Sequence, residues 1–295
     1  MLHEMGAHHP ESPARLSAIQ DQLLSSGLDL FLHHHDAPLA SREQLCRAHD
    51  AEYVEYIFQK APKEGQIWLD PDTPMNQHSL SAALRAAGAV VLGVDLVMTG
   101  KTSAAFCNVR PPGHHAEHNK AMGFCIFNNI AVGAAHALQV HKLKRVAIVD
   151  FDVHHGNGTE DIFREVPEVL FCSTFQHPFY PDTGAGDTPE HIVNVPLPTG
   201  TDGQAFRAAV KYHWLPKLES FQPELILISA GFDAHIEDDM AGLRLVDQDF
   251  AWVTRKIKII ADKYAKGRIV STLEGGYALS ALGRSVAAHV NALLG

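Results

Sequence analysis

The sequence has 295 residues, 46% of them hydrophobic and 20% charged, and its formal net charge is −10. This acidic balance argues against a nucleic-acid or membrane-surface partner, because such partners are bound through clustered positive charge. The four cysteines form no CxxC pair, so neither a disulfide framework nor a zinc ribbon is indicated. We find no apolar run that approaches membrane-spanning length and no signal-peptide pattern. We therefore expect a cytoplasmic protein and leave its oligomeric state open.

Strand and helix patterns alternate along most of the chain. In the less regular first 75 residues we expect helices near Ser12–Ser26 and Ser41–Gln59 and a loop at Pro71–Pro74. Short β-branched runs then predict strands at Ala104–Val109, Val146–Phe151, Val169–Phe175, Ile192–Pro196, Leu225–Ala230 and Arg268–Leu273. Helical patterns occupy Ser79–Met98, Phe127–Gln139, Gln204–Phe221, Asp247–Tyr264 and Leu279–Leu294. The alternation predicts one α/β domain over residues 1–295, with a mainly parallel open sheet and helices on both faces.

Metal-ligand side chains follow two of these strands. Asp150, Asp152 and His154 come at the end of one strand, and alternation in an extended chain would place them on one face. Asp233 follows another strand. Taken alone, Asp233 could equally be a turn or helix-capping residue, whereas a capping role would explain only one of the two aspartates before His154. Together, Asp152, His154 and Asp233 would supply three ligands and leave a fourth position open, which is typical of a catalytic zinc site.

Two further segments contain candidate catalytic groups. His114 and His115 follow a loop stiffened by two prolines and a glycine, and imidazoles titrate near neutral pH, so this pair is suited to acid–base work. Asp150 is then free to orient one of them. Tyr277 follows two glycines beyond the last strand, where its phenol could donate a hydrogen bond to a developing oxyanion.

These segments, in this order, resemble the histone deacetylase superfamily of zinc-dependent amidohydrolases, and the motif wording is nearest to the class II branch and its bacterial relatives. The likeness extends to the segments 9–15 and 122–129 and so spans almost the whole chain. It implies an arginase/deacetylase-like fold and zinc-dependent hydrolysis of the linear amide of N-acetyl-lysine. One zinc ion would be held by Asp152, His154 and Asp233.

The resemblance also implies roles for residues around the metal. His114 and His115 match the tandem catalytic histidines, Asp150 matches the carboxylate beside the first, and Tyr277 matches the oxyanion-stabilising tyrosine. Asn157 stands where class I members have a second aspartate, and it would orient His115 without a negative charge. The family binds structural potassium beneath the zinc, here through Asp150, Asp152, His154 and Ser173.

The substrate tunnel is the last feature that the resemblance implies. Gly123, Phe124 and Tyr180 match its walls, although phenylalanine is commoner at position 180, and Gly276 belongs to the glycine pair that would approach the substrate. Asp72 matches a rim acid that binds substrate backbone, with Asp70 as a competitor.

Substrate class separates the remaining alternatives. Acetylpolyamine amidohydrolases use an acid seven residues after the last zinc-ligand aspartate, and here that position is Met240, although Glu237, Asp238 and Asp239 are close by. An acylated lysine in a peptide or protein is therefore the favoured substrate, and an acetylated small amine is the alternative. A catalytically silent acyl-lysine reader is disfavoured because Tyr277 and both histidines are present. An arginase-like binuclear manganese enzyme would need further carboxylates.

Overall fold

A six-stranded parallel sheet forms the centre of the computed structural model, which describes residues 2–6 and 9–295. The strands along the chain are β1 (Gln66–Asp70), β2 (Thr73–Asn76), β3 (Ala104–Cys107), β4 (Val146–Asp150), β5 (Val169–Gln176), β6 (Ile192–Leu197), β7 (Leu225–Ala230) and β8 (Ile269–Leu273). Strands β3 to β8 form the main sheet in the order β3-β8-β7-β4-β5-β6, and every neighbouring pair is parallel. This confirms the predicted α/β class.

Helices cover both faces of this sheet. The α-helices are α1 (Ala14–Ser25), α2 (Arg42–Leu45), α3 (Ala51–Lys60), α4 (Ser79–Met98), α5 (Asn129–Gln139), α6 (Asn157–Phe163), α7 (Gly203–Ala209), α8 (Leu215–Phe221), α9 (Asp247–Tyr264) and α10 (Leu279–Leu294). A short 3₁₀ turn lies at Leu28–Phe31. Helices α4 and α5 pack on one face, and α1, α9 and α10 pack on the other.

Alternation along the strands creates two hydrophobic layers. In β4, Val146 and Ile148 enter the layer beneath α4 and α5, whereas Ala147 and Val149 enter the layer beneath α9 and α10. All five residues of this strand are buried, as the continuous apolar run predicts for a strand covered on both faces.

The N-terminal third differs from the sequence-based expectations in two places. The expected helix at Ser41–Gln59 is two helices, α2 and α3, because the chain turns at His49. The His49 ring contacts the carbonyl of Glu117 through Nδ1 and accepts from the backbone N–H of Asn128 through Nε2. The expected loop at Pro71–Pro74 instead belongs to an antiparallel hairpin, β1–β2, in which Pro74 pairs with Trp68. A two-stranded ribbon accepts proline because it leaves backbone groups unpaired.

The helix expected at Gln204–Phe221 contains a wider turn in its middle. Residues Val210–Trp214 form a π-helical turn between α7 and α8. Pro216 has no backbone N–H to donate to the carbonyl four residues earlier, and a local change of hydrogen-bond spacing is a common accommodation of such a gap.

Helix α4 is long and apolar enough to cross a membrane by length and composition, with a mean hydropathy of 1.7 over its most apolar window. This corrects the statement that no apolar run approaches that length. In the structure, 61% of the window is buried, and the helix packs against α5, β3 and β8. Its composition is therefore accounted for by its place in the core.

The crossing of α4 and α5 depends on a glycine. A Cβ atom added to Gly133 would lie 2.4 Å from Val90 Cγ1. We expect Gly133→Ala to lower the free energy of unfolding by about 1–3 kcal/mol, despite the better helix propensity of alanine, because the packed helices have no room for the methyl group. Urea denaturation measures this change. In a Val90→Ala background the same substitution should cost much less, and an equal cost in both backgrounds would contradict the contact.

Candidate active site and metal centre

The chemically interesting segments converge at the carboxyl edge of the sheet. They follow β3, β8, β7 and β4, which are adjacent in the strand order. Parallel strands present their carboxyl ends at the same edge, and this is where open α/β sheets place their sites. Adjacency of these strands therefore brings residues from distant parts of the sequence within contact distance.

Asp152, His154 and Asp233 form one buried group whose ligand atoms all lie within 4.8 Å of one another. The Nδ1 atom of His154 is 3.0 Å from Asp152 Oδ1 and 3.3 Å from Asp233 Oδ2. Beyond β4 the chain is not extended. Instead, Asp150 Oδ1 accepts from the Asp152 N–H and Asp152 Oδ1 accepts from the His154 N–H, at 3.0 and 2.9 Å. Successive Asx turns, and not strand alternation, aim these side chains.

Backbone amides hold both oxygens of Asp152 but only one oxygen of Asp233. Gly275 N donates to Asp152 Oδ2 at 2.8 Å, and Val153 N donates to Asp233 Oδ1 at 3.0 Å. Position 275 must be glycine for this approach, because a Cβ there would lie 2.0 Å from Asp233 Oδ2. That Oδ2 atom is buried and accepts no hydrogen bond of good geometry from the residues the structure describes. An unsatisfied buried carboxylate oxygen facing an imidazole fits a divalent cation well.

The pKa values of Asp233 and His154 also indicate that this group stabilises a positive charge. Burial and the neighbouring Asp152 carboxylate together raise the pKa of Asp233 to about 6, although His154 acts to lower it. For His154, burial acts to lower the pKa, but its contacts with Asp152 and Asp233 outweigh that effect and raise it to about 9. Two buried carboxylates thus stabilise positive charge between them.

The tandem histidines lie beside this group, each with a different partner. His114 Nδ1 is 2.9 Å from Asp150 Oδ2, and His115 Nδ1 is 2.7 Å from Asn157 Oδ1. Burial acts to lower both pKa values. In His114 the carboxylates of Asp150 and Asp152 reverse the effect and raise the pKa to about 10. In His115 the neighbouring imidazoles add to burial, and the pKa falls well below its ordinary value.

A narrow cavity of about 230 Å³ opens above the histidines. It is lined by Asp72, Pro112, His114, His115, Gly123, Phe124, His154, Phe179, Tyr180, Met240, Gly275 and Tyr277. The ring of Tyr180 meets that of His115 edge-on at 5.3 Å, and Phe179 stacks on His154 at 5.3 Å. The expected tunnel residues Gly123, Phe124 and Tyr180 therefore share one cavity, and Phe179 and Pro112 join them.

Of two expectations about the cavity wall, one needs correction. Gly275, not Gly276, lines the cavity, because Gly276 packs against Leu282 and Phe232. Of the two competing rim acids, Asp72 lines the cavity. Its Oδ1 atom already accepts from the N–H of Gly123 at 3.0 Å, so this oxygen supports the wall of the cavity.

Sequence reasoning missed four buried residues that hold the loops of the site. Glu274 accepts from the N–H groups of Gly113 and His114, at 2.6 and 3.1 Å. Arg15 donates to the backbone carbonyls of Glu274 and Gly276. The other two residues, Glu11 and Arg110, form a buried ion pair. Charged residues at 9–15 and 110 were visible in the sequence, but their burial was not. It depends on distant contacts, those of Glu11 with Arg110 and of Arg15 with the Glu274 carbonyl, which join residues more than 90 positions apart.

A second group of metal-ligand side chains lies between α4 and α5. Asp95 Oδ1 is 2.9 Å from His136 Nε2 and 2.7 Å from His141 Nε2. Arg47 donates to His136 Nδ1 at 2.6 Å, which leaves Nε2 as the protonated nitrogen. The hydrogen bonds thus satisfy this group without an ion, in contrast to the group around Asp233.

Comparisons with known proteins agree with this geometry. The sequence profile of the histone deacetylase domain matches residues 9–293. The histone deacetylase-like amidohydrolase of Pseudomonas aeruginosa is 38% identical, with 92% of this chain and 73% of the relative covered. The polyamine deacetylase HDAC10 of Homo sapiens is also 38% identical, with 97% of this chain but only 44% of the relative covered.

The crystal structure of the HDA15 HD domain superimposes with a TM-score of 0.92 at 34% identity, over 99% of this chain and 85% of that one. The family resemblance, the fold and the expectation of an enzyme that hydrolyses amides are confirmed. The chain belongs to the histone deacetylase family and is a hydrolase of acetylated substrates.

Proposed function

We propose that this protein is a zinc-dependent deacetylase of N-acetyl-lysine in peptides or proteins, which releases acetate and free lysine. The observation that supports this most is the convergence of the Asp152–His154–Asp233 group, the tandem histidines and Tyr277 on one narrow cavity. The volume of about 230 Å³ and the aromatic and apolar lining suit an aliphatic side chain that ends in a small acyl group.

Asp152, His154 and Asp233 would hold the zinc ion. When bound, zinc would supply a Lewis acid for the amide carbonyl and lower the pKa of a water molecule. Two carboxylates would balance its charge. We also propose a structural potassium ion nearby, because Ser173 Oγ is buried without a hydrogen-bond partner among the described residues and Ser173 pairs with Asp150 across β4 and β5.

The two histidines would divide the proton transfers. Asn157 offers its carbonyl oxygen to His115 Nδ1, so this nitrogen holds the proton and Nε2 is left to accept one from the attacking water. Asp150 offers a full negative charge to His114 Nδ1 and would stabilise the protonated ring. Delivery of a proton to the leaving amine completes the cleavage of the amide.

Tyr277 would donate its phenolic hydrogen to the developing oxyanion. Its ring lines the cavity, faces Phe124 edge-on at 6.1 Å and lies 4.9 Å from the Arg15 guanidinium carbon. Burial raises the pKa of Tyr277 well above its ordinary value, so the hydroxyl is a donor throughout the physiological range.

The rim of the cavity favours acetyl-lysine over acetylpolyamines. Met240 offers an apolar wall, and two of the three neighbouring acids are engaged: Glu237 pairs with Arg284 at 2.6 Å, and Asp238 is buried and bonded to backbone amides. Asp239 is exposed and has no ion-pair partner within the described residues. The polyamine alternative therefore rests on Asp239 and on the human relative named above.

Substitution of Asp233 tests the metal assignment. Asp233→Ala removes one ligand and one of the two balancing charges, so bound metal and turnover should be lost together. Elemental analysis of the purified variant measures the metal. Asp95→Asn changes the other His/Asp group and should leave both quantities unchanged. Full metal occupancy in Asp233→Ala would exclude Asp233 as a ligand.

Removal of one hydroxyl tests the oxyanion role. Tyr277→Phe should lower kcat by roughly 10²–10³-fold, the usual cost of losing one oxyanion donor. KM should change little, because the bond forms mainly in the transition state. Steady-state kinetics with an acetyl-lysine peptide measures both quantities. Tyr264→Phe is the matched control, because it removes a hydroxyl that donates to Glu219 outside the cavity, and it should leave kcat unchanged. An unchanged kcat would refute the role.

Substitution at the rim tests the substrate class. Met240→Glu adds a carboxylate that can bind the distal ammonium group of a polyamine substrate. One charge-assisted hydrogen bond is worth about 1.5–3 kcal/mol. We therefore expect kcat/KM for acetylspermidine to rise about 10–100-fold. The unsubstituted protein should prefer the acetyl-lysine peptide. If it already prefers acetylspermidine and Asp239→Asn removes that preference, the polyamine alternative is correct.

A further inference from the structure

The carboxylate of Asp238 is buried between two loops of the site. Its Oδ2 atom accepts from the N–H groups of Tyr277 and Ala278, at 2.6 and 2.9 Å, and its Oδ1 atom accepts from the N–H of Met240 at 3.1 Å. Only 5% of the residue is exposed. One side chain thus joins the loop of the phenol to the loop that forms the cavity rim.

Before Tyr277, Arg15 donates to the carbonyls of Glu274 and Gly276. The contacts of the N–H groups of Ala278 and Tyr277 are with Asp238. Gly276, which precedes Tyr277, has φ of +117°, and α10 begins only at Leu279. Helix α10 has no side-chain cap from its own N-terminal residue Ala278, so Asp238 supplies the negative charge that this helix start favours. Because hydrogen bonds to a buried carboxylate are strong, they fix the direction in which the Tyr277 side chain leaves the backbone.

We propose that Asp238 is a positioning residue, which sets the Tyr277 hydroxyl in register with the Met240 rim through these three backbone contacts. The proposal rests on the proposed function, because it assumes the oxyanion role of Tyr277 and the rim role of Met240. Its consequence is that a change at the Met240 rim, which selects the substrate, also shifts the Tyr277 hydroxyl, which stabilises the transition state. A displacement of about 1 Å at a reacting group can cost 10²-fold in rate, so a loosened Tyr277 should be visible in kcat.

A double-substitution cycle separates positioning from general stability. Asp238→Ala should lower kcat for the acetyl-lysine peptide by about 10–100-fold in the parent protein. In the Tyr277→Phe background, where there is no hydroxyl left to misplace, the same change should lower kcat by no more than about twofold. Metal content and thermal unfolding are measured on every variant to show that each retains the folded site.

Two further variants address the individual bonds. Asp238→Asn should retain most of the kcat that Asp238→Ala loses, because the amide oxygen of asparagine can still accept from the N–H groups of Tyr277 and Ala278. Its NH₂ group would then face the Met240 N–H, and two donors repel each other. We therefore expect KM to rise. If Asp238→Ala does not fold, Ala278→Pro removes one donor without changing Asp238, since φ at Ala278 is −74° and suits proline. Its effect on kcat should likewise vanish in the Tyr277→Phe background.

Asp249→Asn is the matched control, because Asp249 is also buried, also accepts from a backbone amide (Val246 N, 2.9 Å) and caps α9. Its effect should be the same with and without the Tyr277 hydroxyl. Equal effects of Asp238→Ala in both backgrounds would overturn the positioning role and leave the proposed function intact. A full kcat in Tyr277→Phe alone would overturn the oxyanion role of Tyr277 and the positioning role that depends on it. Absence of turnover of the acetyl-lysine peptide by the unsubstituted, metal-loaded protein would overturn the proposed function itself.

Discussion

The bond between a buried carboxylate and the backbone amide of a distant loop recurs throughout this site. Asp152 is bonded by Gly275, Asp233 by Val153, Glu274 by Gly113 and His114, and Asp238 by Tyr277. The loops in question follow four different strands, and each has little regular structure of its own. The sheet brings these loops to one edge, and the acidic side chains then fix their relative positions.

This arrangement explains how so much negative charge is tolerated in the interior. Each acid has backbone donors, a buried arginine or an imidazole to compensate for the lost hydration. Glu11 shows the principle away from the Asp152–His154–Asp233 group. Burial acts to raise its pKa, but His3 and Arg110 outweigh burial and hold the carboxyl ionised. The unsatisfied oxygen of Asp233 is the exception, and it lies where the proposed zinc ion would bind.

Much of the fold and the centre of the site could be predicted from the sequence. Continuous apolar runs such as Val146–Asp150 are local signals, and the topology rule for parallel sheets converts them into a common edge. Asp152, His154 and Asp233 could be grouped because each follows a strand end. The β1–β2 hairpin could not be found this way, since its strands are short and one contains a proline.

The roles of Glu274 and Asp238, which hold the loops of the site, could not be predicted from the sequence for a different reason. Glu274 and Asp238 act through hydrogen bonds to backbone groups, and an amide at Gly113 or Tyr277 has no residue-specific signature. Their importance depends on which loops meet in space. The same holds for Gly275, whose missing side chain matters only because Asp233 lies 2.0 Å from the position that a Cβ would occupy.

The strand order has a consequence for how enzymes of this architecture can diversify. The segment with Phe179 and Tyr180 follows β5, on the opposite side of β4 from the other motif-bearing strands, and it is attached by contacts such as His155 Nδ1 to Thr183 Oγ1 at 2.8 Å. Insertions or exchanges in this segment can reshape the space for the acyl chain without moving the backbone that holds Asp233, Glu274 or Tyr277. Exchanges at Phe179 and Tyr180 themselves also change the surroundings of His154 and His115, because their rings contact these imidazoles, so variation in this segment couples cavity shape to the histidines.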